Sequence, residues 1–151
     1  METEYSVNGR IVFEDKEAFL RHLRDRGFIS QPNHGTETFK IPYKDYQFIL
    51  KFGEKATLTL PNVYQSEKPG DACNDLSEKE LEEFCREFSE KNSCKIFMCK
   101  GAETYGNANV FNGGSDYEIV NEEWFLCGFQ NGAKILAERT NYWNPKIGEL
   151  L

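Results

Sequence analysis

The segment Tyr46-Gln-Phe-Ile-Leu-Lys-Phe52, with Gly53-Glu-Lys55 and Ala56-Thr-Leu-Thr-Leu60 after it, decides the fold class. Tyr46, Phe48, Leu50 and Phe52 fall on one side of an extended chain, and Gln47, Ile49 and Lys51 on the other. Ala56, Leu58 and Leu60 repeat the alternation around Thr57 and Thr59. A period of two is the pattern of half-buried antiparallel strands, because successive side chains leave opposite faces of the pleat. Working outward, Phe39, Ile41 and Tyr43 alternate in the same way, and residues 95–100, 117–120, 124–129 and 133–138 read as further strands. Asn131-Gly132 joins the last two, since Asn-Gly supplies the positive φ angles of a type I′ turn. The same dipeptide at Asn8-Gly9 predicts a short hairpin near the N-terminus. Residues 30–38 are polar and rich in turn formers and read as a loop, and the Gly/Asn-rich stretch 101–114 reads as another.

Two helices are expected between these strands. Asp15 caps the first, Phe19, Leu20 and Leu23 share its apolar side, and Gly27 closes it. Ser77-Glu-Lys-Glu80 is a capping box, in which the serine and the glutamate each bond the other's backbone N–H. Leu81, Phe84, Cys85 and Phe88 follow at i, i+3, i+4 and i+7, an amphipathic spacing. The expected fold is therefore α+β: two layers, a mostly antiparallel sheet with two amphipathic helices packed on one face. At 151 residues the chain is expected to form one compact domain over 1–151. The alternative is two half-units, 1–62 and 75–151, joined by a linker containing Pro61, Pro69 and Gly70.

Charge and cysteine content exclude several classes of function. There are 18 basic and 25 acidic residues, a formal charge of −7, and the basic residues cluster only at Arg21, Arg24 and Arg26. Direct nucleic-acid binding, which needs a basic face, is not expected. No apolar run approaches the roughly 20 residues of a membrane span, and the N-terminal residues lack the blocks of a secretory signal. Five cysteines, an odd number, read as free thiols of a cytoplasmic protein, and their spacing matches no zinc motif.

The chain has no glycine-rich phosphate loop, nucleophile elbow or His-Glu-x-x-His helix. His34, beside Gly35 in a polar segment, is the accessible histidine, and Cys73 the thiol it would need for nucleophilic catalysis. No catalytic residue, metal site or cofactor is expected. The expected binding residues are His34, Tyr64, Tyr105, Glu122, Tyr142 and Trp143: aromatic anchors outside the periodic core, one carboxylate and the loop histidine. The function expected by elimination is occlusion of another macromolecule, a protein or protein–nucleic acid complex, by an inhibitor, immunity protein or viral or bacterial counter-defence factor. The alternatives are a small-ligand, nucleotide-like binder using the two loops, and a Cys/His- or carboxylate-dependent hydrolase.

Overall fold

A computed structural model describes residues 2–33, 36–61, 72–107, 117–143 and 145–151. Among them, eight strands form one antiparallel sheet: β1 (Glu2–Val12), β2 (Ser30–Asn33), β3 (Thr36–Tyr43), β4 (Tyr46–Phe52), β5 (Ala56–Leu60), β6 (Lys95–Asn107), β7 (Tyr117–Gln130) and β8 (Ala133–Thr140). Their order is β2-β3-β4-β5-β1-β6-β7-β8. The helices are α1 (Lys16–Asp25), α2 (Ala72–Asp75), α3 (Glu78–Asn92) and α4 (Pro145–Leu150). The fold is α+β with an antiparallel sheet, as the period-two segments require. No described helix is long and apolar enough to cross a membrane.

β1 pairs with β5 on one side and β6 on the other, so strands from residues 1–62 and from 75–151 share one sheet. Because β5 and β6 are both antiparallel to β1, they run parallel to each other. The chain between them must pass over β1, and α3 lies in that crossover.

Local chemistry sets the helix ends. The Asp15 carboxylate accepts from the backbone N–H of Glu17 and Ala18, and Gly27 leaves α1 at φ +91°. Both halves of the Ser77/Glu80 capping box are present on α3. Phe19, Leu20 and Leu23 of α1 and Leu81, Phe84, Cys85 and Phe88 of α3 join one buried cluster with Phe39, Phe48, Leu50, Met98 and Cys127 of the sheet. The Phe84 ring stacks on Phe48 with centroids 4.1 Å apart. Each fully buried side chain of this kind is worth about 1.5–3 kcal/mol. Residues of the opposite parity, Cys99, Trp124 and Leu126, form a second, smaller cluster with Ile147 of α4. Six residues are too few to show a helical period, so the sequence gives no sign of α4.

Several local expectations are overturned. Asn8-Gly9 makes no turn; both residues lie inside the eleven-residue β1, opposite Cys99 and Met98. Gly9 is there for space: a Cβ would lie 1.9 Å from Met98 Sδ and 2.4 Å from the Phe97 carbonyl oxygen. Residues 30–33 and 36–38 are strands, with Pro32 on the edge strand, where a missing N–H need cost no ladder bond. Residues 101–107 continue β6, and 117–130 are one strand where two were expected. Gly101 lies beneath the Trp124 ring, 2.1 Å from where its Cβ would be. Glycine at these two strand positions marks close approach of a side chain. By contrast Asn131 (φ 50°) and Gly132 (φ 86°) form the expected turn between β7 and β8.

Gly9→Ala should lose about 1–3 kcal/mol of stability in urea unfolding, because the clash involves backbone as well as a thioether. Gly53→Ala, whose Cβ would meet only the Lys55 carbonyl oxygen at 3.9 Å, should stay within about 0.5 kcal/mol of wild type.

Candidate functional site

The strands are unequal in length, and that inequality builds the site. β5 stops at Leu60, opposite Val7, and β8 stops at Thr140, opposite Trp124. Beyond those points β1 (residues 2–6), β6 (101–107) and β7 (117–123) continue as a three-stranded arm. Its 19 residues include six glutamates and no lysine or arginine, while the rest of the chain carries 18 basic and 19 acidic residues. Nearly all of the net charge of −7 therefore sits on the arm.

Register concentrates this charge further. Glu4 lies directly opposite Glu103, and Glu103 directly opposite Glu122, giving one carboxylate on each of three neighbouring strands. Opposed side chains share a face with Cβ atoms about 4.5–5.5 Å apart, where like charges destabilise a sheet. Two neighbours partly relieve the row. The Tyr105 hydroxyl donates to Glu103 Oε2 at 2.6 Å, and the Trp124 indole N–H donates to Glu122 Oε1 at 3.3 Å. The bond to Glu103 is the largest cause that pushes the Tyr105 phenol up to about 12, followed by desolvation and the negative charges of Glu103, Glu4 and Glu122. Trp143 meets Trp124 edge-on, with centroids 4.8 Å apart, and remains 46 % exposed. Ile119 and Val120 of the arm are also exposed, Val120 being the extra residue of a bulge where β7 slips against Thr104 and Tyr105.

The structure therefore brings together three of the six expected binding residues: Tyr105 and Glu122 on the arm, and Trp143 through Trp124. Tyr105 stands in a strand, not a loop. Tyr142 is exposed in the bend after β8. His34 and Tyr64 lie outside the described residues. Sequence reasoning missed Glu4, Glu103, Ile119 and Val120. A usable signal was present, since no basic residue occurs between Lys100 and Lys134.

Glu123 points away from Glu122, as adjacent strand residues must, and lines a cavity of about 200 Å³ with Tyr5, Lys100, Phe125 and Arg139. The two cations there are committed. Lys100 donates to the Leu76 carbonyl, and Arg139 pairs with Glu78 while lying over the Phe125 ring.

Catalytic chemistry finds little support among the described residues. Cys73, the thiol expected to be reachable from a loop, is fully buried and donates to the Leu60 carbonyl at 3.0 Å. Cys85 and Cys127 face each other in the core at 3.8 Å, with burial the main force pushing the Cys85 thiol up. His22 and Cys94 line one cavity of about 570 Å³, but burial pushes the Cys94 thiol up to about 12 and His22 Nε2 is bonded to Asn92 Oδ1 at 3.2 Å. No three His, Cys, Asp or Glu side chains among the described residues converge as a metal site.

The Tyr105 shift has a definite sign. A phenol whose folded value lies above the unfolded value near 10 contributes its stabilisation fully below pH 10 and loses it as pH rises towards 12. Glu103→Gln keeps a hydrogen-bond acceptor but removes the charge, so the Tyr105 ring-carbon NMR titration should move from about 12 towards 10. An unmoved midpoint would show that the Glu103 charge does not act on this ring.

Comparison with known proteins returns no matching protein-family model, curated protein or solved structure.

Proposed function

We propose that this chain is a small acidic binding protein of the cytoplasm that acts by occluding another macromolecule, and that the arm is its working surface. The carrying observation is the opposed row Glu4–Glu103–Glu122. A like-charge row works against the sheet that holds it, and local conflict of this kind is concentrated at functional surfaces. A cationic partner removes the conflict on binding. Exposed Ile119, Val120 and Trp143 supply apolar area of the kind that anchors protein interfaces.

The partner is therefore a protein, alone or within a protein–nucleic acid complex, that presents a basic surface. Phosphate backbones are repelled by the same row, so the action is on the protein and not on nucleic acid directly. This is the mode of an inhibitor, immunity protein or viral or bacterial counter-defence factor. In this reading α1 and α3, as amphipathic helices, form a second layer on one face of the sheet within a single domain, and the arm continues the sheet beyond the ends of β5 and β8. The small-ligand alternative is not carried forward. The described parts of its two phosphate-cradling loops, residues 30–33, 36–38 and 101–107, are strands whose backbone groups pair with neighbours.

Capture from native host extract on immobilised protein tests the proposal. A partner should be retained by wild type, be released as salt rises, and bind at least tenfold less well to Glu103→Lys/Glu122→Lys. Trp143→Ala should weaken retention to a smaller degree. A partner held equally by wild type and the charge-reversed variant would overturn the assignment of the arm.

A further inference from the structure

The arm has an edge as well as a face. β7 is fourteen residues long, but β8 pairs only with its C-terminal half, from Trp124 to Gln130. After Thr140 the chain bends through Asn141 and Tyr142 and enters α4, leaving the line of the sheet. Residues 117–123 are thus paired with β6 on one side, and among the described residues no strand pairs with them on the other. A strand left this way presents unpaired N–H and C=O groups, which act as a template for another chain.

We infer that this edge of β7 receives an extended, basic segment of the partner, which adds to the sheet as a ninth antiparallel or parallel strand. The inference rests on the arm being the binding surface and specifies what binds there and how. Recognition by strand addition takes affinity from main-chain hydrogen bonds and specificity from alternate side chains. Both are provided for. Across the register, Glu118 and Glu123 share one face of the arm with Thr104 and Ala102, while Ile119 and Glu122 lie on the other with Tyr105 and Glu103. An incoming strand places cations beside Glu118 and Glu123 on one face, and on the other a β-branched residue beside Ile119 and a cation beside Glu122, at the end of the carboxylate row. Seven residues at about 3.4 Å each give an edge long enough for a segment of seven or eight residues.

Charge complementarity also decides against a second copy of this chain as the occupant. Pairing the edge with itself would bring Glu118, Glu122 and Glu123 of two copies together, and acidic side chains guard an edge against that pairing. Those same groups attract a basic strand.

The test uses a labelled eight-residue peptide alternating Lys and Val, its Glu/Val counterpart, and a Lys/Val peptide with Pro replacing the two central valines. The Pro peptide keeps the charge but loses strand hydrogen bonds. Fluorescence anisotropy with the full chain should show binding of the Lys/Val peptide, at least tenfold weaker binding of the Pro peptide, and none of the Glu/Val peptide. Glu118→Lys/Glu123→Lys should abolish binding of the Lys/Val peptide. Amide hydrogen exchange should slow at alternate residues within 117–123 when that peptide is bound. If both basic peptides bind equally and exchange is unchanged, the arm holds cations by its face and strand addition is overturned while the occlusion proposal survives. If neither basic peptide binds, both are overturned.

Discussion

Everything in this molecule hangs on β1 being paired along both edges. Five residues, Val7 to Ile11, bond to β5, and the whole strand from Glu2 to Val12 bonds to β6. That double pairing makes one sheet from two chain segments and requires the connection from β5 to β6, which contains α3, to cross from one side of β1 to the other. It also sets the register that lines up Glu4, Glu103 and Glu122. A slip of one residue would turn Val7 and Ile11 out of the core and scatter the carboxylate row at the same time.

The pairing tolerates little change because the strands interlock through missing side chains. Met98 fills the space over Gly9, Trp124 the space over Gly101, and Phe97 the space beside Gly128. In each case a large residue takes up the room that a neighbouring glycine leaves, which fixes strand against strand as firmly as the backbone ladder does. The Trp124 ring placed in this way then holds Glu122 on one side and meets Trp143 on another, so the same packing that orders the sheet orders one end of the arm.

What the sequence made legible was local. Asp15, Ser77 and Glu80 act through bonds to residues two or three positions away, so their roles could be read directly. The alternation from Tyr46 to Leu60 was equally plain, because burial on one face of a strand is written into every second residue. The two Asn-Gly dipeptides show where such reading fails. Asn131-Gly132 is a turn and Asn8-Gly9 is strand interior, and what separates them is Met98, about ninety residues from the second pair. Gly101 misled for the same reason, since only the fold brings Trp124 above it. Of the proposed binding surface, Tyr105, Glu122 and Trp143 stood out as residue types, but their grouping did not. The row of carboxylates exists only once three strands are set in register, and its members are 99 and 19 positions apart in the chain.

The opposed carboxylates of the arm set like charges against one another across three strands, and the proposed role of the arm depends on that repulsion. Glu103 stands at the centre of the row with a like charge on each side, and glutamine at this position still accepts the Tyr105 hydroxyl. Urea unfolding of Glu103→Gln at low and at high salt is the most direct measurement. Stability should rise by about 0.2–1 kcal/mol at low ionic strength, and the gain should shrink as salt screens the wild-type repulsion. A loss of stability that is the same at both salt concentrations would mean that Glu103 supports the sheet, and would contradict the central claim.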